Sequence, residues 1–266
     1  MSYSWLECEE EIEKWKKYQY ANLKVAEECF FNNANIILKQ EYAFRKQILS
    51  CLNGKIKIIP TIRSTQRQKE KKKYSKKYRG IDINYLNNII REKLRDDNSL
   101  LFEVYNEDGV FYTSNRKKGF DFAKLDEKYN LIKLWNQCFG KRALYNGKTL
   151  WEDGLKQNTF LQKALENIDL CMDNKGQDIE IKKEIITVLG EIQFGNWGLV
   201  YRDLFKLLDA DNNSGVDLFV YVTAHNSLLS AASDNIVSFD ETNKILNEFS
   251  NLIKIPVWVI GLDIEL

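Results

Sequence analysis

A short polar motif in the last third of the chain has the residue types of a metal-dependent hydrolytic site. It reads Glu191-Ile192-Gln193, and Gly190 and Gly195 flank it. Side chains two residues apart on a β-strand leave the same face, so the glutamate and the glutamine would emerge together while the isoleucine faces the core. Carboxylate and amide oxygens are ligands that suit Mg²⁺. The tripeptide therefore indicates a magnesium site or, alternatively, the plain solvent face of a strand.

Two further acids precede this motif in a segment with strand periodicity. Residues 178–181 alternate polar and apolar side chains, which puts Asp178 and Glu180 on one face. The chain is then expected to turn at residues 182–183 into a run of β-formers over residues 185–194. The resulting β-hairpin would bring its acids to the motif. A metal bound there could position a water for attack on a phosphodiester and neutralise the charge that develops at the leaving oxygen.

Positive charge is concentrated in one stretch of the chain, although the net charge is only +1. Nine basic residues lie from Arg63 to Arg79 against a single acid, and they include Lys71, Lys72 and Lys73. Such a run is either a solvated loop or an arm that binds phosphate groups and becomes ordered on DNA. In the second interpretation, Arg63 and the three consecutive lysines contact the DNA backbone.

The spacing of apolar residues predicts a mostly helical N-terminal part and a C-terminal part in which strands and helices alternate. Asparagine, glycine and proline mark the breaks between elements. The N-terminal elements are helices at 4–30 and 36–52, a strand at 55–59, a helix at 82–95, a hairpin at 100–113 and two or three helices within 120–172. After the hairpin at 178–194 come a helix from 197 that ends before 212, a strand at 216–222, a helix at 240–252 and a strand at 256–262. This order predicts an α/β fold with a mixed sheet between layers of helices.

Composition argues against several other kinds of site. The five cysteines lie far apart without a Cys-x-x-Cys pair, which disfavours a zinc site and a disulfide framework. A nucleophilic hydrolase could use only the single histidine, His225, with Ser227 or Ser230, and the sequence has neither a Gly-x-Ser-x-Gly elbow nor a Walker loop. The acidic N-terminal segment lacks signal-peptide character and no long apolar run follows. We therefore expect a cytoplasmic protein without a membrane partner.

The stretch around the motif resembles a family of DNA-cutting enzymes. It reads Gly190-Glu191-Ile192-Gln193-Phe194-Gly195-Asn196. This stretch is similar to the type II restriction endonucleases of the BamHI, BglII and BstYI group, within the PD-(D/E)xK nucleases. That group has Glu-x-Glu or Glu-x-Gln where most of the superfamily has Glu-x-Lys, and an aromatic-x-Asn sequence then opens a helix. The resemblance covers residues 176–262 well and the earlier part of the chain weakly.

The resemblance implies metal-site roles for several residues. Glu191 matches the metal-binding glutamate, and Gln193 takes the position otherwise held by lysine or glutamate. The first metal-binding carboxylate stays open: spacing from the glycine that opens the strand favours Glu180, whereas residue type and the acid-Ile-acid run favour Asp178. A further acidic or amide residue of the family's site has three candidates in this chain, Asp97, Asn98 and Glu166.

The resemblance also implies contacts with DNA bases. Asn196 matches a base-contacting asparagine, and Arg202 matches an arginine on the helix that follows. Asp234 and Asn235 fall where BamHI has an Asp-Arg pair that reads the outer base pair. Asparagine pairs with adenine and arginine with guanine in the major groove, so this difference implies a different outer base pair.

The resemblance implies a single restriction-endonuclease-like domain, residues 1–266, with an αβα core. Its parts would be N-terminal helices (1–55), a DNA-contacting basic segment with a helix and a hairpin (56–115), a helical insertion (116–172) and the catalytic core (173–266). The enzyme would use Mg²⁺, for which Mn²⁺ substitutes, to cut double-stranded DNA at a short palindrome and leave 5′-phosphate ends. A palindrome calls for a homodimer, and a restriction-modification system pairs such an enzyme with a DNA methyltransferase that protects the same site. The alternative is a non-catalytic or nonspecific DNA-binding protein on the nuclease fold.

Overall fold

The structure of this chain is a computed structural model. It describes residues 5–6, 8–69, 72–96, 99–114, 119–168, 170, 175–232 and 236–265. These residues contain both helices and strands, interspersed along the chain, so the α/β class predicted from the sequence is confirmed.

Eleven strands lie within the described part of the chain. In chain order they are β1 (Trp5–Leu6), β2 (Tyr20–Phe31), β3 (Gly54–Lys57), β4 (Pro60–Lys69), β5 (Lys72–Ile81), β6 (Leu101–Glu107), β7 (Val110–Thr113), β8 (Phe120–Lys124), β9 (Val188–Gln193), β10 (Leu218–Ala224) and β11 (Val257–Glu265). The last three are almost wholly buried. Their continuous runs of apolar residues are typical of strands covered on both faces.

Ten helices lie within the same ranges. In chain order they are α1 (Glu9–Lys16), α2 (Ala34–Gln40), α3 (Tyr42–Cys51), α4 (Ile83–Arg95), α5 (Glu127–Phe139), α6 (Gly147–Gln157), α7 (Thr159–Glu166), α8 (Leu199–Ser214), α9 (Asn226–Ala231) and α10 (Phe239–Glu248). None of the helices in the described ranges has both the length and the apolar character that a membrane crossing requires.

The chain divides into two compact units. The first comprises Met1–Asp97, Ile192–Leu204 and Val220–Leu266, and the second comprises Asn98–Glu191 and Phe205–Phe219. Both units are built from discontinuous stretches of sequence, because β9, α8 and β10 each cross from one unit to the other.

The first unit contains two sheets. In one, the strand order is β3-β2-β11-β10, and β2 pairs antiparallel with both of its neighbours. In the other, the order is β1-β5-β4, with β4 and β5 forming a long antiparallel hairpin that runs from the pair Pro60 and Ile81 to the pair Lys69 and Lys72. The basic run of the sequence is therefore a β-hairpin rather than a loop.

The second unit has the strand order β9-β8-β6-β7 and contains helices α5 to α7 and the part of α8 from Phe205 onward. Helices α5 to α7 bury an apolar cluster against β7. Two buried asparagines satisfy backbone groups of β7: Asn130 exchanges hydrogen bonds with both the N–H and the C=O of Phe111, and Asn158 accepts one from the N–H of Thr113. Polar side chains from helices thus fix the insertion to the sheet.

Asp126 begins α5 and ties it to the segment that precedes β9. One carboxylate oxygen accepts a hydrogen bond from the N–H of Tyr129, and the other accepts from Glu184 and Ile185. Burial acts to raise the pKa of this carboxyl, but the backbone N–H donors together hold the pKa below its ordinary value.

The predicted helix at 4–30 is wrong over most of its length, because residues 20–31 form β2. This segment contains good helix formers, but both of its edges bond to neighbouring strands, and that pairing overrides local propensity. The predicted break after it is confirmed, since Asn32 and Asn33 have positive φ angles of 50° and 65°, a region that asparagine tolerates. The predicted helix at 36–52 is divided into α2 and α3.

The predicted hairpin at 178–194 is also wrong in its first half. Residues 178–187 form no strand, and β9 pairs instead with β8, which lies before the helical insertion. Residues 178–181 alternate polar and apolar side chains, but they pair with no strand of the described chain and form a loop. The predicted helix at 82–95 and hairpin at 100–113 are confirmed by α4 and by β6 with β7. The prediction of helices alone over residues 120–172 is wrong at its start, because residues 120–124 form β8. Helix α8 continues past the predicted break to Ser214, and α9 and the β4–β5 hairpin were not predicted.

Candidate active site

Strand β9 carries the Glu-x-Gln motif in the interior of the protein. All six of its residues are buried, and residues 188–190 pair antiparallel with β8. Gly190 lies opposite Phe122, and a Cβ at this position would come within 2.1 Å of the phenylalanine ring. Glycine is therefore required here for the two strands to approach, and the fully buried Phe122 ring fills the space that a side chain would take.

The pairing of β8 with β9 brings a second acid to the motif. Asp121 and Glu191 are each one step beyond the registered pair of Phe122 and Gly190, so strand alternation directs both to the opposite face from that ring. Both carboxylates are buried, with 7% and 4% of their surface exposed. Buried acids are rare unless they are paired or bind a metal. The two side chains therefore form the core of the candidate site.

Asp121 is not among the site residues predicted from the sequence. A usable signal was present, since this acid lies between Phe120 and Phe122 in a segment that is otherwise apolar. A single carboxylate inside a buried strand indicates a site rather than a solvent face. The helical insertion concealed the pairing, because α5, α6 and α7 stand between β8 and β9 in the chain.

A lysine on α8 contacts the motif glutamate. The Lys206 ammonium donates hydrogen bonds to Glu191 Oε1 and, at 2.7 Å, to the carbonyl oxygen of Gly119. It also lies 4.5 Å from the centre of the Phe120 ring. The Lys206 side chain is 21% exposed to solvent. The helix thus supplies a positive charge to the buried carboxylates.

The oxygen donors of this site are of the kind that bind Mg²⁺. Asp121 and Glu191 offer two buried carboxylates, although the described residues contain no group of three or more histidine, cysteine or acidic side chains that could hold a metal ion. Mg²⁺ commonly binds one or two carboxylates and keeps several of its waters. The ammonium at Glu191 already shows that this carboxylate attracts a cation.

In the first unit, Gln193 belongs to a buried hydrogen-bond network on α8. Its Nε2 donates to Asp203 Oδ2 at 2.8 Å, and its Oε1 accepts from the N–H of Gly195 at 2.9 Å. Asp203 is fully buried and also accepts from Arg202 and, at 3.4 Å, from the Tyr221 hydroxyl. These contacts fix both ends of the amide, so its rotamer is defined by the fold.

Two residues with predicted DNA contacts flank the start of α8. Asn196 is exposed, and its side-chain oxygen accepts a hydrogen bond from the N–H of Gly198 at 2.9 Å, which forms the turn before the helix. Arg202 is half exposed and binds Asp203 through Nε and one Nη. Asp234 and Asn235 lie outside the described residues.

The other candidate acids lie away from β9 or outside the described residues. Asp178 is exposed and accepts a hydrogen bond from the N–H of Lys141 at 2.9 Å, in the loop after α5. Glu180 is exposed in the segment before β9, and Glu166 is exposed at the end of α7. Asp97 and Asn98 lie outside the described residues. Asp178 and Glu180 thus share no strand with Glu191, contrary to the hairpin prediction.

The basic residues lie on the β4–β5 hairpin. Arg63 is on β4 and donates a hydrogen bond to the carbonyl oxygen of Ser230 at 2.8 Å, at the end of α9. Lys72 and Lys73 are in β5, although their side chains are not among the described ones, and Lys71 lies outside the described residues. The hairpin therefore has a regular backbone and a fixed base, since Arg63 anchors it to α9.

The single histidine has a carboxylate partner instead of a serine. His225 Nε2 lies 3.3 Å from Glu27, and its ring packs on Phe239. The Ser230 hydroxyl donates to the carbonyl oxygen of Asn226 at 3.4 Å, and the Ser227 N–H donates to Asp263. This arrangement gives no support to the hydrolase alternative based on His225.

The chain was compared with protein-family models, curated proteins and solved structures. A family model described as restriction endonuclease BglII/BglIII matches residues 26–262. Among solved structures, restriction endonuclease BglII complexed with a DNA 16-mer is 14% identical, with 88% of this chain and 74% of that chain covered and a TM-score of 0.42. Free BglII is 13% identical, with coverages of 88% and 77% and a TM-score of 0.37. No match is found among curated proteins.

Proposed function

Because the chain belongs to the restriction endonuclease BglII/BglIII family, whose members are DNA-cleaving hydrolases, we propose that it cuts double-stranded DNA at a short palindromic site with Mg²⁺ bound by Asp121 and Glu191. The observation that carries the proposal is the pair of buried carboxylates on β8 and β9. The assignment replaces Asp178 and Glu180 by Asp121 as the first acid of the site, and it keeps Glu191 as the second.

The proposed reaction is hydrolysis of a phosphodiester by water. When bound, Mg²⁺ would polarise a phosphate oxygen and lower the pKa of a coordinated water. Asp121 and Glu191 would hold the ion, and their positions on the paired strands are set by the packing of Gly190 on Phe122. The products would carry 5′-phosphate and 3′-hydroxyl ends, and Mn²⁺ would substitute for Mg²⁺ because it accepts the same oxygen ligands.

The β4–β5 hairpin is proposed to bind the DNA backbone. It carries most of the basic residues that lie between Arg63 and Arg79, and the exposed Lys76 and Lys77 are on β5. Basic side chains on an extended hairpin can follow a row of phosphates and release counterions on binding. Base recognition is proposed for Asn196, Asp234 and Asn235, with Arg202 supporting the first of these.

The proposed biological setting follows from cutting a palindrome. Both strands are cut at equivalent positions when two active sites are related by a two-fold axis, so a homodimer is proposed. The partner enzyme in the cytoplasm would be a DNA methyltransferase that modifies the same sequence and protects the host. Together the two would form a restriction-modification system.

The proposal is tested by incubating the purified protein with a sequenced plasmid and Mg²⁺. We expect discrete fragments whose ends ligate without prior phosphorylation, and a continuous smear would contradict site-specific cleavage. Glu191→Ala and Asp121→Asn should abolish cleavage while specific DNA binding is retained, and Glu152→Gln, an exposed acid on α6, is the matched control. Loss of cleavage with Asp178→Asn but not with Asp121→Asn would return the metal site to the loop before β9.

A further inference from the structure

We infer that Lys206 is a catalytic residue of this nuclease, whose ammonium group holds the scissile phosphate beside Glu191; the inference rests on the proposed function. The contacts that support it are the hydrogen bonds to Glu191 Oε1 and to the carbonyl oxygen of Gly119. Lys206 comes from α8, so it is supplied by a helix and not by the strand that carries the motif.

The position of this ammonium is fixed by three neighbours. The carboxylate of Glu191, the carbonyl of Gly119 and the face of Phe120 surround it, and each attracts a positive charge. A free lysine side chain has many rotamers and loses conformational entropy when it binds a phosphate. Because the Lys206 side chain is already held in place, this entropic cost of binding is smaller. About a fifth of the side chain stays exposed, so a ligand can reach it.

The motif itself brings no positive charge to the strand. Its third position is Gln193, which is neutral, and both ends of the amide are bound, one to Asp203 and the other to the N–H of Gly195. A charge at Glu191 therefore has to come from another element, and α8 provides it in Lys206. A fixed cation is useful here because negative charge accumulates on the phosphate oxygens in the transition state.

The chemical step needs no proton from the lysine. The water oxygen forms the new bond to phosphorus and its proton passes to solvent, while the bond to the 3′ oxygen breaks and that oxygen takes a proton from solvent. Throughout, the Lys206 ammonium keeps its protons and donates hydrogen bonds to a non-bridging oxygen of the phosphate. Its contribution is electrostatic stabilisation and positioning.

The experiment compares Lys206→Met with Lys206→Arg and with Lys133→Met. Lys133 is a suitable control because it is also a half-buried helical lysine of the second unit, packed on the Tyr129 ring 6.0 Å away. Single-turnover cleavage with Mg²⁺ is measured at saturating DNA. Mn²⁺ binding to the DNA-free protein is measured by calorimetry, and thermal unfolding of each variant is recorded. If Lys206→Met does not fold, Lys206→Gln replaces it.

We expect Lys206→Met to lower the cleavage rate about 10²- to 10³-fold, the usual effect of removing one charge-stabilising donor. Lys206→Arg should stay within roughly tenfold of the parent, because the charge is kept. Without the competing ammonium, Glu191 should bind Mn²⁺ about fivefold more tightly in Lys206→Met. Lys133→Met should match the parent in both measurements. A purely structural role of Lys206 would weaken Mn²⁺ binding together with activity.

Three results would overturn the inference: parental cleavage by Lys206→Met, weaker Mn²⁺ binding in that variant, or equal losses in the methionine and arginine variants. The Glu191→Ala enzyme separates this failure from failure of the proposed function. If Glu191→Ala is inactive and Lys206→Met is fully active, only the lysine assignment is wrong. If Glu191→Ala still cleaves, the proposed metal site itself is wrong.

Discussion

Substituting Gly190 by alanine should disable the candidate site without touching any of its charged groups. A Cβ at position 190 would lie 2.1, 2.3 and 2.4 Å from three atoms of the Phe122 ring. Contacts of this kind are normally no shorter than 3.4 Å, so the ring or the strand would have to move by about 1.3 Å. Phe122 is fully buried, so its ring cannot avoid the added methyl group by moving into solvent. We therefore expect the two strands to separate locally.

The cost of this change can be set from known core substitutions. Inserting one methyl group into a packed interior destabilises a protein by about 1–3 kcal/mol, and rigid aromatic neighbours favour the upper end of that range. A shift of about 1 Å between β8 and β9 would also displace Asp121 from Glu191. Misplacement by such a distance costs about 10²-fold in rate. The cleavage rate of the folded protein should therefore fall even under conditions in which the variant remains fully folded.

The assay combines urea unfolding with Mg²⁺-dependent cleavage of a plasmid substrate. Gly190→Ala should lower the midpoint of unfolding and slow cleavage, and Phe122→Leu in the same chain should restore part of both, because the smaller side chain leaves room for the methyl group. The two substitutions should thus be non-additive, as expected of residues in contact. An unfolding free energy within about 0.5 kcal/mol of the parent, or strict additivity, would refute this account of the strand pair.

Three further predictions concern charge and burial. Asp126→Ala should lower the free energy of unfolding by about 1–2 kcal/mol near neutral pH through loss of the α5 cap, as measured by urea unfolding. Since the pKa of Asp126 in the folded protein lies below the ordinary 3.8, this stabilisation should be present above pH 3.8 and disappear as the pH falls through the lowered pKa. A stability difference between parent and variant that does not change with pH would contradict this. Replacing Lys76 and Lys77 by glutamine should reduce the slope of log K for DNA binding against log salt concentration by about one for each lysine that pairs with a phosphate. Lys244→Gln is the control, and an unchanged slope in the Lys76 and Lys77 variant would exclude the hairpin from the interface. Burial raises the pKa of the Cys138 thiol to about 11, so thiol reagents should modify it only on unfolding, and rapid labelling of the native protein would disprove its burial.

Local patterns in the sequence identified the strand that carries the site. The continuous β-formers before Gln193 predicted β9, and the helical spacing of apolar residues predicted α8 and α4. Each of these features depends on neighbours within a few residues. They could therefore be inferred without knowledge of the rest of the fold.

The pairing of strands could not be inferred in the same way. Periodicity indicates that a segment can form a strand, but it does not say which segment lies beside it. The nearest segment with strand periodicity and acidic residues, 178–181, is therefore the partner that the sequence predicts for β9. The actual partner is β8. The same limit applies to β2, whose helix-forming residues were overruled by two neighbouring strands distant in the sequence.

The helical insertion also sets the order in which the second unit can fold. Pairing β8 with β9 closes a loop of roughly 60 residues, which costs about 3 kcal/mol more than closing a two-residue turn, since each doubling of length adds about 0.6 kcal/mol. Helices α5, α6 and α7 have an apolar cluster of their own, so they can form early and shorten this effective loop. We therefore expect the candidate site on β8 and β9 to be completed late in folding, after α5, α6 and α7. For the proposed nuclease, this order means that a nascent chain cannot cleave DNA until its synthesis has passed β9.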